Sequence, residues 1–301
     1  MKTKLTIPML IMLLMLIACS TQPTTTQTQN TPISIEENYA IREIDIEDDN
    51  QQYLTPDNWQ NTPASCNKSL LKLWLFADDK AIISSGSASL INSEQYHDIK
   101  GNTVWVHHVL TADHVVKDDN QKITDSKIVV FPHDYQDQNL VFGYVGYTQV
   151  ADSNNKPLDV GIYSFFSLGT NTLAPYLIPA GVQSLTSDGH MLPGTTDFFY
   201  SFGYPNNIQN PQYVVATVNK TENDYVYLRP LPKNSNVTGG NSGGSVCNQD
   251  NQLVGIVSKI DLSNPDLYRI TPLPTNITEQ FNAALQNTDK ILSAAGITKA
   301  P

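Results

Sequence analysis

Cysteine is scarce in this chain, with three in 301 residues, at positions 19, 66 and 247. No Cys/His spacing of the kind that holds zinc is present, and no metal or other cofactor is expected. Basic residues are also in deficit: 18 Lys and Arg face 29 Asp and Glu, for a formal net charge of −11. A nucleic-acid binder shows the opposite balance, so that class is set aside. The acidity argues for solubility and names no partner. Long apolar runs are missing after the first twenty residues, so no second hydrophobic segment marks a membrane span. Internal repeats are missing too. What remains is material for one large or two modest domains with ample core.

The first residues stand apart. Lys2 and Lys4 precede an apolar stretch from Leu5 to Ile17, too short to cross a bilayer comfortably. Leu16-Ile17-Ala18-Cys19 follows and resembles the lipobox of bacterial lipoproteins. That resemblance implies that residues 1–18 are a lipoprotein signal peptide and that Cys19 is the lipidated first residue of the mature chain. Several acyl chains together anchor stably where one does not. Ser20 is not the aspartate that tends to hold such proteins at an inner membrane. The resemblance therefore implies a bacterial cell-envelope protein, at an outer membrane facing the periplasm or at the cell surface. An ordinary signal peptide with a chance cysteine is the other reading. Residues 19–65, dominated at first by Thr, Gln, Asn and acidic residues, read as a flexible tether, and residues 66–301 as the folded domain. Cys66 and Cys247 remain; two cysteines in an exported protein suggest one disulfide, with two buried thiols as the alternative.

From about residue 70 the pattern becomes short apolar runs rich in Val, Ile, Tyr and Phe, broken by turn residues. They run from Leu70 to Leu75, Ala81 to Ile83, Thr103 to Leu110, Lys127 to Phe131, Leu140 to Tyr147 and Asp159 to Phe166. Asp197 to Phe202, Tyr213 to Val218, Tyr225 to Leu228 and Gln252 to Val257 follow. In the third run His107 and His108 are adjacent and so point to opposite faces. Helical periodicity appears only from Ile277 to Ala295, where Phe281, Ala284, Leu285, Ile291 and Leu292 share a face, with an interruption expected near Asn287. Many short strands and one terminal helix predict an all-β fold of barrels or a sandwich.

Chemistry concentrates in Gly239-Gly240-Asn241-Ser242-Gly243-Gly244. Each glycine loses more backbone entropy on folding than any other residue. Such a run persists where backbone passes close to other atoms or aims its N–H groups at one point. In a hydrolase those groups form an oxyanion hole beside a nucleophilic serine; an inert glycine-rich turn is the bland reading. Upstream lie Val109-Leu110-Thr111-Ala112-Asp113-His114-Val115-Val116 and Leu158-Asp159-Val160-Gly161-Ile162-Tyr163. The serine loop formally fits the nucleophile elbow of α/β-hydrolases, but that fold places its histidine after the serine, and the last histidine here is His190. The order His, Asp, Ser matches chymotrypsin and not subtilisin.

These segments resemble the trypsin-like (chymotrypsin-fold) serine peptidases, above all the bacterial HtrA and glutamyl-endopeptidase branch. Gly86-Ser87-Ala88 resembles that branch's early Gly-Ser-Gly strand, Leu110 to Val116 its LTAAHVV element, and Phe202-Gly203-Tyr204-Pro205 its GYP turn. The resemblance implies two six-stranded antiparallel β-barrels with a C-terminal helix, and a monomer acting on protein or peptide substrates. It implies His114 as general base, Asp159 as its orienting carboxylate and Ser242 as nucleophile, with Asp152 a weaker competitor for the carboxylate. The N–H groups of Gly240 and Ser242 would form the oxyanion hole. Asn241 stands where animal trypsins carry an aspartate, which implies maturation by another route. The residues after Pro274 are too few for a PDZ domain. For substrate binding the resemblance points to Asn236 near the base of the S1 pocket and to Ser258, Lys259 and Ile260 as an edge pairing with substrate backbone. Val257 stands where glutamate-specific relatives place a histidine, and Ile260 replaces a frequent glycine. A small or medium apolar P1 residue is the expectation.

Overall fold

The computed structural model describes residues 64–300 apart from 78–80, 118–126, 133–139, 170–171, 174–176, 188–190, 195–196, 206–210, 232–236, 238–239, 261–263 and 265. Residues 1–63, with the leader, Cys19 and nearly all of the tether, lie outside the described residues, as does Asn236.

A single turn of helix, α1 (Ala64–Asn67), leads into six strands: β1 (Leu70–Ala77), β2 (Ala81–His97), β3 (Thr103–Thr111), β4 (Lys127–Pro132), β5 (Leu140–Ala151) and β6 (Pro157–Leu168). They pair antiparallel in the ring β1-β4-β5-β6-β3-β2, and β2 returns to β1, so the sheet closes. The short helical turn α2 (Asp113–Val116) follows β3. The second set, β7 (Phe199–Gly203), β8 (Gln212–Glu222), β9 (Tyr225–Leu231), β10 (Ser245–Cys247), β11 (Leu253–Ile260) and β12 (Tyr268–Pro272), forms its own closed barrel in the order β10-β11-β12-β9-β8-β7. Helix α2 is followed much later by α3 (Ile277–Ala294), after which β13 (Thr298–Lys299) joins the free end of β2. Two six-stranded antiparallel barrels with a C-terminal helix are therefore present, as expected.

The local patterns explain the elements. In β8, Gln212, Val214, Ala216 and Val218 point inward while Tyr213, Val215 and Thr217 are partly exposed, the period-two alternation of a half-buried strand. Asn223 and Asp224 both take positive φ, 49° and 68°, in the two-residue turn joining β8 to β9; that turn needs left-handed backbone at both positions, which Asn and Asp tolerate. Strand β3 is buried on both faces over its C-terminal half. His107 packs against Phe142 and Phe165 inside the first barrel, and His108 against Phe281 of α3. The opposite-face expectation thus holds, and burial drives their pKa values down to about 3 and about 4.

Two expectations change. The strand starting at Ala81 runs to His97, far beyond Ile83, because its first half pairs with β1 and its second with β3 and β13. Cross-strand pairing, not apolar content, carries its polar second half. Helix α3 continues without a break through Asn287. Ile277, Phe281, Ala284, Thr288 and Leu292 line its buried face, and Gln280 bonds both N–H and C=O of Ala151 at the end of β5.

Cys66 and Cys247 form a disulfide with Cα atoms 6.2 Å apart, joining α1 to β10. It ties the entry of one barrel to the other across 181 residues. A large apolar cluster containing Cys66, Leu110, Val115, Val160, Ile162, Phe202, Cys247, Ile256 and Phe281 fills the space around that joint.

Candidate active site

His114 sits in α2, immediately after β3. Val115 and Val116 on the same turn are buried, which pins the turn and leaves the His114 ring about one-third exposed. Asp159 lies in β6, paired to β3. Leu158 and Val160 on either side of it are buried, so strand alternation turns its carboxylate the other way, toward His114. The imidazole Nδ1 lies 2.9 Å from Asp159 Oδ1 and 3.0 Å from Oδ2, and the His114 backbone N–H donates to Oδ1 at 3.2 Å. A carboxylate at Nδ1 places the ring proton there and leaves Nε2 as the acceptor. Burial pushes the Asp159 carboxyl up, but the bond and charge of His114, with further hydrogen bonds, outweigh it and hold the carboxyl below its ordinary range. Asp152 has a different role: it accepts the N–H groups of Asn154 and Lys156 in the turn between β5 and β6.

Ser242 lies on the loop that enters β10. Gly243 takes φ +85°, and a Cβ there would come within 2.0 Å of Ser87 O and 2.3 Å of Thr111 Oγ1. A Cβ on Gly244 would come within 1.9 Å of Phe202 O. These close approaches account for the glycines after the serine. Three consecutive carbonyls of the loop are occupied: Gly240 O accepts Ser87 Oγ, Asn241 O accepts Gly244 N–H and Ser242 O accepts Ser87 N–H. The N–H groups of Gly240 and Ser242 have no partner among the described residues. Asn241 is buried, and its Nδ2 donates to Gln212 Oε1 at 3.1 Å. Ser242 Oγ donates to Ser258 O at 2.9 Å, and among the described residues no hydrogen bond joins it to His114.

Comparison with known proteins places the domain that carries this couple and the glycine-bound serine. The model of the trypsin-like peptidase domain family matches residues 86–256, more than half of the chain and a range that contains all three of these residues. The chain belongs to this family. No curated protein matches it. Similar solved structures include a Glu endopeptidase in complex with MPD, 15% identical, with a TM-score of 0.51 over 79% of this chain and 98% of the other. A structure described as GrC is 13% identical, with a TM-score of 0.51 over 80% and 99% of the two chains. A mutant of human heparin binding protein is 12% identical, with a TM-score of 0.50 over 79% and 96%. At such identities these neighbours establish the shared fold.

In this trypsin-like domain the segment read as a substrate edge divides in two. Ser258 is fully buried, and its Oγ donates to Asp159 Oδ2 at 2.5 Å. Its side chain therefore serves the carboxylate, a contact that the sequence reading missed because 99 residues separate the pair. Lys259 is exposed; it and Ile260 pair with Arg269 and Tyr268 of β12. On the other side β10 reaches only Ile256, so that edge carries no strand among the described residues beyond Val257. Behind the serine loop Val237, Val257 and Tyr268 share one apolar cluster, with Tyr268 Oη bonded to Ser201 Oγ at 2.6 Å.

A second feature was not legible at all. Asp113, next to His114, is buried and accepts both Lys117 Nζ at 2.7 Å and Tyr147 Oη. Lys117 also donates to Gln149 Oε1 at 3.2 Å, and Gln149 Nε2 to Leu158 O at 3.3 Å. The residues preceding His114 and Asp159 are thus tied through one polar chain.

Proposed function

We propose that this domain is a serine endopeptidase in which His114, Asp159 and Ser242 act as base, orienting carboxylate and nucleophile. The observation that carries the reading is the His114–Asp159 couple, with Nδ1 held by the carboxylate and Nε2 left to accept a proton. Rotation of the Ser242 hydroxyl off Ser258 O directs it toward that base. As Ser242 Oγ bonds to the scissile carbonyl carbon, its proton passes to His114 Nε2. The N–H groups of Gly240 and Ser242, which have no partner among the described residues, receive the negative oxygen, an arrangement in which loss of one donor costs about 3 kcal/mol of barrier. Collapse breaks the C–N bond, His114 returns the proton to the leaving amine, and water repeats the sequence on the ester.

Substrate backbone would pair with the open edge at Lys259 and Ile260. The apolar cluster of Val237, Val257 and Tyr268 supports a small or medium apolar P1 residue. The lipobox-like Leu16 to Cys19 segment supports lipid anchoring at Cys19 in a bacterial envelope.

A catalytically silent, protease-fold binding protein is the second reading, favoured by the bond from Ser242 Oγ to Ser258 O. One neighbour in fold is described as a heparin binding protein and another as a Glu endopeptidase, so the fold alone does not separate the two. Fluorophosphonate labelling does. Wild type should label and Ser242→Ala should not, while both give the same circular dichroism. Folded wild type that stays unlabelled removes the enzyme reading. Cleavage profiling dominated by Arg, Lys or Glu at P1 removes the specificity reading. Membrane fractionation of Cys19→Ala tests the anchor, with release of the protein expected.

A further inference from the structure

Two stretches of the sequence, Gly86-Ser87-Ala88 and Phe202 to Pro205, have no part in the chemistry described so far. The structure brings them together on the serine loop. Ser87 lies in β2 of the first barrel and is fully buried. Its Oγ accepts the Tyr204 N–H at 2.7 Å and donates to Gly240 O at 2.9 Å. Its backbone N–H donates to Ser242 O at 2.8 Å, and its carbonyl accepts Thr111 Oγ1 at 2.8 Å, three residues before His114. One residue of the first barrel thus bonds the serine loop twice, the end of β7 once and the end of β3 once.

The hydroxyl has a single proton and its direction is set. Tyr204 N–H approaches a lone pair, so the proton goes to Gly240 O. Gly240 has φ +91°, a region open to glycine, and its peptide has no side chain of its own to restrain it. With its carbonyl drawn toward β2, the peptide between Gly240 and Asn241 holds one plane, and that plane lies between the two peptides that carry the Gly240 and Ser242 N–H groups, which have no partner among the described residues. We infer that the Ser87 hydroxyl is a positioning residue for the oxyanion-binding N–H groups, acting from the opposite barrel. This rests on the peptidase reading of Ser242. Preorganised donors matter because they need no reorientation when charge develops. A loop that must first be ordered loses rate without losing affinity for the ground state.

The test is the rate of labelling by a fluorophosphonate probe, with saturation separating affinity from rate, alongside the burst of p-nitrophenyl acetate hydrolysis. Ser87→Ala should label about 10- to 100-fold more slowly at saturation, with probe affinity within about twofold and a cooperative melt retained. A purely structural role predicts a lower melting temperature and an unchanged rate per folded molecule, and that result overturns the inference. If Ser87→Ala loses its cooperative melt, Ser87→Cys gives the answer, since it keeps the volume and offers only a weak S–H donor. It should label at least about fivefold more slowly, and the wild-type rate would overturn the inference. Folded wild type that does not label overturns the peptidase reading and this inference with it. Equal labelling of wild type and Ser87→Ala overturns this inference alone.

Discussion

Ser258 and Asp159 are joined by a 2.5 Å hydrogen bond from the serine hydroxyl to carboxylate Oδ2, while both carboxylate oxygens lie within 3.0 Å of His114 Nδ1. The Ser258 carbonyl meanwhile accepts the Ser242 hydroxyl. One residue therefore touches both ends of the proposed triad. Removing the hydroxyl in Ser258→Ala leaves a partly buried carboxylate short of one donor. A hydrogen bond to a charged group contributes about 1.5–3 kcal/mol, so turnover of a chromogenic ester should fall by about tenfold or more. A Ser258→Ala variant with wild-type kcat would show that His114 alone holds the carboxylate.

The polar chain from Asp113 through Lys117 and Gln149 to Leu158 O makes a stability prediction. Lys117 and Asp113 have side chains only 12% and 11% exposed. Lys117→Met strands the Asp113 carboxylate, and breaking such a buried pair costs about 3–5 kcal/mol. Asp113→Asn combined with Lys117→Met removes both charges and should recover most of that loss. Urea unfolding midpoints of the two variants should differ in that order; the reverse order would deny the pair its role.

Acid stability should depend on His107. Burial lowers its pKa to about 3 from an unfolded value near 6.5, so the folded state favours the neutral ring. The unfolded chain then binds more protons below neutrality, and stability present above about pH 6.5 is lost as pH falls toward 3. His107→Phe keeps an aromatic ring against Phe142 and Phe165 and has no proton to gain. Its unfolding midpoint should fall less than that of wild type between pH 7 and pH 4. Parallel pH profiles would refute the assignment.

Reduction of the disulfide should destabilise the domain strongly. Closing 181 residues restricts the unfolded chain by about 5 kcal/mol in the chain-entropy account. Thermal melts with and without reductant, or of Cys66→Ala with Cys247→Ala, check this; equal melting temperatures would mean that packing alone holds α1 to β10.

Much of the proposed site was legible because its signals are local. Ala112-Asp113-His114-Val115-Val116 is a strand end and one turn, and the glycines around Ser242 answer to close contacts within their own loop and the backbone crossing it. Asp159 stood out because it opens an apolar strand, and the structure places its carboxylate against His114; the order of the three residues excluded rival folds. The second half of β2 was missed because its polar residues are held by pairing to β3, which no local pattern reports. The side-chain role of Ser258 was missed for the same reason: its partner is far away in sequence. Lys117 gave no signal either, since a lysine one turn after an aspartate usually marks a solvated face.

The sequence by itself determined which residue types are available for the chemistry, the alternation that makes strands, and the glycines without which the serine loop cannot pass β2. These follow from backbone sterics and side-chain period, which act over a few residues. Tertiary structure alone decided that Ser87 grips the loop from the opposite barrel, that Ser258 serves Asp159, and that Asp113 and Leu158 share one polar chain. Those contacts depend on barrel closure and strand register, which bring distant residues within hydrogen-bond reach only once the whole core has packed.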